Sequence, residues 1–447
     1  MKASLSFPSR ERLNTILVLG LPIIAGMISQ NILNLVDTAM VGTLGDASLA
    51  AVGIGGFFTF MAQSFFMGLS SGVQSIAARR WGENKIDELA KPLNGGILFV
   101  LMVGVPFASI LFFHGDKLFA FLIHDPEVMK IGREYVTWRM PGIVAIGLNF
   151  SFRGYWNGVG RPSFYLRAIL LMHIINIILN YLLIFGKFGF PALGAMGSAM
   201  GTTLALFSGS AYYFWQSIKY AKGNGFMSAF PSVKEFRQLL SVSIPSGLQI
   251  MFFSAGYTVE FWIIGLIGTS ELAAANVLIN IMLICILPGI ALGIAAGSLV
   301  GQELGRGNPL EAKRWGWDVV KVGMVGLSLL GLPMVLFPKS ILALFIHEPI
   351  TLDLAVWPLI LIGATIAIEA LALVLINAQL GAGDSKRILF STALLQWFFF
   401  LPLAFLIGPQ MGFGLIGIWT CHIVYRLILA MIMIVMWQRE KWANVSL

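Results

Sequence analysis

Apolar runs long enough to cross a bilayer recur from one end of this chain to the other. A membrane-spanning helix needs about 20 residues. The runs predict twelve spans, at approximately 14–42, 48–77, 92–114, 130–153, 163–186, 191–217, 235–267, 271–300, 317–337, 352–380, 386–408 and 413–437. Composition agrees, with 57% of residues hydrophobic, 11% charged and a mean hydropathy of +0.85, where soluble domains carry about 25% charged residues. The expected fold class is therefore an all-α polytopic membrane protein. The first run follows MKASLSFPSRER, has full span length and is followed by no small-residue cleavage site, so it reads as a retained helix. Cys285 and Cys421 lie inside apolar runs. They read as small core residues, because they build neither a disulfide framework nor a metal motif.

A net charge of +8 raises the question of nucleic-acid binding, but the placement of the charges answers it. With the N-terminus taken as cytoplasmic, most of the 29 Lys and Arg fall in inner segments such as RRWGENK (79–85), KYAK (219–222), EAKR (311–314) and SKR (385–387). This is the positive-inside pattern. It predicts a multi-pass protein of the cell inner (plasma) membrane with both termini cytoplasmic, in contact with lipid and not with nucleic acid.

Shifted by 223 residues, the chain matches itself. Pro22 falls on Pro245, Gly45 on Gly268, Leu49-Ala50-Ala51 on Leu272-Ala273-Ala274, Gly82 on Gly305, Gly158 and Gly160 on Gly381 and Gly383, and Gly194 on Gly417. IHDP (123–126) meets IHEP (346–349) without a gap. Two six-helix halves of one orientation imply lobes related by a pseudo-two-fold axis along the membrane normal, with a cavity between or within them, an architecture common in secondary transporters. The expected division is an N-lobe at 1–220, a cytoplasmic linker at 221–234 and a C-lobe at 235–447.

The polar residues inside the spans carry the functional reading. Asp37, in NLVDTAMVG, is an acid inside a membrane helix, and such a charge must be sheltered, paired or protonated. Gln30, Asn34 and Asp37 follow i, i+4, i+7 spacing and share one face of the first helix. His173, Asn176 and Asn180 share a face of the fifth, and Thr202 of the sixth is a further candidate. An acid facing asparagine amides can be hydrogen-bonded, can exchange a proton, or can hold a hard cation through oxygen ligands. Packing is the competing account for each lone Asn or Thr, since such residues join membrane helices. In the repeat Asp37 falls on Glu260, whereas Asn176 and Asn180 fall on Phe399 and Leu403. Glu260 and Glu369 form a second acid pair, and Glu369 meets Ile146 in the repeat. Pro22 interrupts the first helix and is a hinge candidate, with a static kink as the alternative.

Other motifs carry less. GLSSG (68–72) matches a nucleophile-elbow pattern but lacks the strand-turn-helix context that chemistry requires. His124 and His347 read as turn residues. No His/Cys metal cluster or P-loop occurs, which argues against a metal enzyme or an ATP-driven pump.

The twelve spans in two halves, NLVDTAMVGTLG in the first helix, GENK and GRGN after the second helix of each half, RGYWNGVGRP and LGAGDSKR together resemble the MATE (multidrug and toxic compound extrusion) transporters over essentially the whole chain, with the DinF-type bacterial branch nearest. The resemblance implies a non-enzymatic, cation-coupled antiporter, expected as a monomer, that exports organic, often cationic and amphiphilic drugs or toxic metabolites from a central cleft. It implies a proton- or sodium-coupling site at Asp37, Asn176, Asn180 and Thr202, with Gln30, Asn34 and His173 as substrate-cavity candidates. Some DinF-like members have an acid where Asn180 stands. In NorM-like and eukaryotic branches, acids matching Glu260 and Glu369 do the work. Proton coupling is the leading expectation. Sodium held by Asp37, Asn176 and Asn180 is the alternative, and a lipid-precursor flippase the more distant one, for which a basic cavity would be expected.

Overall fold

The structure, a computed structural model, describes residues 6–120 and 125–447, so Ile123 and His124 of the repeat motif lie outside it. The fold is all-α. We number its long helices α1 (Arg10–Gly42), α2 (Asp46–Gly82), α3 (Lys91–Phe99, continuing through a π turn into Val105–Ala120), α4 (Pro126–Arg139, resuming as Gly142–Gly158), α5 (Pro162–Phe185) and α6 (Gly194–Tyr220). The second half supplies α7 (Val233–Gly265), α8 (Thr269–Gly305), α9 (Pro309–Leu336), α10 (Pro349–Ala382), α11 (Ser385–Gln410) and α12 (Gly414–Gln438). Each predicted span coincides with one of these helices. Among the described residues ten helices are long and apolar enough to cross a membrane. The other two are α4, broken at Met140-Pro141, and α6, whose GAMGSAMGTT start is small and polar. Both carry residues that bond to neighbouring helices instead of facing lipid.

The helices form two compact units that do not follow the linear halves. One unit comprises residues 1–24 and 249–446, the other 25–248 with Leu447. Helices α1 and α7 therefore each begin in one unit and end in the other. The linker expected at 221–234 packs inside the second of these units, where Ala90 N donates to Asn224 O and Asn94 Nδ2 to Gly225 O, each at 2.9 Å. Backbone proximity explains how the start of α7 is accommodated there. A Cβ on Gly68 of α2 would run into the backbone of Gly247, so two glycines let the helices touch directly, as membrane helices do where small residues meet.

Ion pairs hold both exchanged helix starts. Arg12 of α1 pairs with Glu311 and, at 2.6 Å, with Asp318 on α9, and its guanidinium stacks 3.7 Å over the Trp315 ring. Glu235 of α7 pairs with Arg80 of α2 at 2.5 Å and with Lys91 of α3 at 3.4 Å. Arg12 and Glu235 are the same position of the repeat, with opposite charge. Each unit has its own apolar core, built in one around Leu278, Val300, Leu327 and Leu375 and in the other around Phe66, Leu93, Phe152 and Trp156.

Candidate functional site

In the unit of residues 25–248, α1, α5 and α6 bring four of the expected residues into one chain of hydrogen bonds. Asn180 Nδ2 donates to Asp37 Oδ1 at 2.9 Å and to Asn176 Oδ1 at 3.2 Å. Asn176 Nδ2 donates to Thr202 Oγ1 at 3.1 Å, and Thr202 donates to Ser198 O at 2.9 Å. Asn176 and Asn180 are fully buried, while Asp37 and Thr202 are half-buried. Helical spacing accounts for the pairing, because residues four apart on α5 stack on one face.

The chain has a direction. Its donors run from Asn180 outward, so Asp37 at one end and the Ser198 carbonyl at the other are pure acceptors. Asn180 spends its NH₂ on both neighbours, and its own Oδ1 is buried with no partner. That oxygen lies against Gly201 of α6, where a Cβ would collide with it. Glycine at 201 is what lets the amide sit there.

A second polar row lies beside the first. Gln30 Nε2 donates to Asn34 Oδ1 at 3.1 Å, and His173 Nε2 lies 3.2 Å from Gln30 Oε1. Because that oxygen only accepts, the ring nitrogen donates. Gln30 and Asn34 are exposed and His173 is buried, so this row leaves amide groups at the surface of α1. Pro22 lies inside an unbroken α1, two residues before the point where that helix passes from one unit to the other.

One neighbour of Asp37 was not anticipated. The guanidinium of Arg139, at the end of the first stretch of α4, acts electrostatically on Asp37 and on the Tyr135 hydroxyl. Arg139 Nε and Nη1 are buried without partners. An arginine two residues before a proline, at a break between two helical stretches, was the available signal.

In the unit of residues 1–24 and 249–446, the second acid pair is buried with two basic side chains. Glu260 of α7 lies 3.3 Å from His422 Nδ1, His422 Nε2 lies 3.4 Å from Arg426 Nε, and Arg426 Nη2 lies 3.0 Å from Glu369 Oε1 of α10. The four are 2%, 7%, 7% and 6% exposed in the order Glu260, His422, Arg426, Glu369. Sequence reasoning named the acids and missed the bases. A His and an Arg four residues apart inside an apolar span were the signal, since ionisable residues at membrane depth are costly and need partners.

Among the described residues no three His, Cys, Asp or Glu side chains converge as a metal site. Comparison with known proteins places this geometry. The family model MatE matches the chain twice, over residues 22–182 and 245–406, the two matches beginning at the prolines of α1 and α7. Relatives include the "Multidrug resistance protein NorM" of Burkholderia vietnamiensis, 27% identical over 90% of this chain and 88% of its own length. Another is the "Probable multidrug resistance protein NorM" of Mesorhizobium japonicum, 25% identical over 96% and 94%. A solved multidrug resistance MATE family transporter, in an outward-facing conformation, superposes with a TM-score of 0.88 over 97% of each chain at 22% identity.

Proposed function

The chain belongs to the MATE family, and on that premise we propose that it is a secondary multidrug antiporter, exporting organic, often cationic and amphiphilic compounds in exchange for protons taken up at Asp37. The names of its relatives support the substrate class. It works as a monomer in the cell inner membrane with both termini cytoplasmic, moving its substrates without altering them covalently, so it is not an enzyme.

The observation that carries this reading is the bond from Asn180 to Asp37. With Asp37 ionised, every donor along the chain has an acceptor. A proton on Asp37 gives the carboxyl a donor, which the NH₂ of Asn180 cannot accept. Rotating the Asn180 amide answers this, because its unpartnered Oδ1 then faces Asp37. The rotation takes the donor away from Asn176 Oδ1 and loosens α1 from α5. Losing a hydrogen bond to a buried polar group costs about 1–3 kcal/mol, enough to change which of two helix arrangements is populated. Proton and substrate then favour different states of one equilibrium, which is the condition for exchange. Gln30, Asn34 and His173 supply the polar wall against which a substrate is held and from which it is released.

Sodium coupling is the second reading, favoured by the same buried oxygen. After the amide turns, Asp37, Asn180 and Asn176 offer three oxygens, which fits a hard cation. Proteoliposomes with separately imposed proton and sodium gradients distinguish the two. Drug movement driven by a sodium gradient alone overturns the proton version. The main test is Asp37→Asn beside Glu260→Gln in a cellular drug-resistance assay with expression checked. We expect resistance to fall to the empty-vector level with Asp37→Asn, and full resistance with that variant overturns the mechanism.

A further inference from the structure

Two buried carboxylates sharing one cluster would ordinarily attract a cation from outside. In the unit of residues 1–24 and 249–446 the cation is already part of the chain. We infer that Arg426 is the resident counter-cation of the Glu260–Glu369 pair and closes this half of the transporter to sodium. The inference rests on the transport reading above and adds which half is shut to a metal cation, and by what.

Four observations carry it. A guanidinium stays charged and only donates, so the ion pair at 3.0 Å gives Glu369 a permanent positive partner. The contact between Arg426 Nε and His422 Nε2 makes that ring nitrogen the acceptor, which leaves the imidazole hydrogen on Nδ1, facing Glu260. Glu260 thus faces an N–H and Glu369 a guanidinium at ion-pair distance, where a hard cation needs several oxygen ligands. The guanidinium is also held on its faces, 5.3 Å from the Tyr425 ring and 5.8 Å from that of Phe253. The adjoining cavity is about 30 Å³ and lined largely by Met282, Ile362, Ile366 and Trp419. It has room for a water or two, and the hydroxyl on its wall, that of Thr365, is already bonded to Leu361 O at 2.7 Å.

The repeat shows how this half came to differ. In register, Tyr425 stands where Thr202 is, Leu403 where Asn180 is and Phe399 where Asn176 is. The two amides that partner the first acid are replaced by apolar side chains, and the Thr202 hydroxyl by that of Tyr425. Arg426, one position past the Thr202 equivalent, replaces their joint effect with a fixed charge.

The test is binding of ²²Na⁺ to purified full-length protein by scintillation proximity, in an Asp37→Asn background that silences the first half. With Arg426 intact we expect no saturable binding at millimolar sodium. Adding Arg426→Gln should create saturable binding at least tenfold above that level, and adding Glu369→Gln as well should abolish it. Arg426→Lys, which keeps the charge, should stay closed. Saturable binding in the Asp37→Asn protein that disappears with Glu260→Gln or Glu369→Gln overturns the inference. So does an Arg426→Gln protein of native elution and thermal stability that gains no binding. If Arg426→Gln does not fold, the Asp37→Asn arm decides alone. Failure of the antiport reading would show elsewhere, as full drug resistance with Asp37→Asn, and would leave these binding results standing.

Discussion

Asp37 and Glu260 hold the same place in the two halves, yet their surroundings differ in kind. Asp37 is bonded to the Asn180 amide, a neutral group that can donate or accept once it turns, while the Arg139 guanidinium acts on it through space without an ion pair. Glu260 faces a histidine fixed by an arginine that can only donate. A neutral bonded partner leaves the charge of an acid free to change, whereas a guanidinium in a direct ion pair commits it. On the function proposed above, a duplicated transporter keeps one scaffold position acidic twice and reserves only one copy for exchange.

Making the first half resemble the second is the severest way to break this contrast. Asn180→Leu, the residue found at Leu403 of the repeat, leaves Asp37 without its donor. A buried charged group stripped of a hydrogen bond loses about 3 kcal/mol, roughly a hundredfold. We expect drug transport in proteoliposomes to fall by that order while the protein still folds. Retention of more than a tenth of the activity would mean that Asn180 only packs. Gly201→Ala sharpens the point without removing any polar group, because its methyl displaces the Asn180 amide. A loss of about tenfold is expected, since the bond is shifted and not deleted. The smallest effect belongs outside both sites. Arg12→Ala removes two partly exposed ion pairs and a stacked ring, worth about 1 kcal/mol together, and should lower the thermal unfolding midpoint slightly while transport stays within about twofold.

Much of the fold was legible because a membrane helix announces itself by length and hydropathy. All twelve spans were placed that way, and α4 and α6 were found although they are too polar to stand out. The acid and amides of the first site were legible for a related reason, since polar residues at helical spacing inside apolar runs must find one another. Three features were not. The exchange of the starts of α1 and α7 between units depends on Gly68 meeting Gly247 and on distant ion pairs, which hydropathy does not encode. The cluster around Arg426 draws on α7, α10 and α12, and no single helix pattern reveals it. Arg139 was not, because its electrostatic effect on Asp37 joins residues 102 positions apart and arises only in the folded chain.

The charge-inverted pair Arg12 and Glu235 sets an order in time. Arg80 and Lys91 precede Glu235 by 155 and 144 residues, so the start of α7 emerges to find its partners already made and completes a unit that is otherwise whole. Arg12 must wait for Glu311, 299 residues downstream, which at 5–20 residues per second is about 15–60 s of synthesis. The start of α1 is made long before its partners and docks only after them, and through that interval α1 is held by its later half alone.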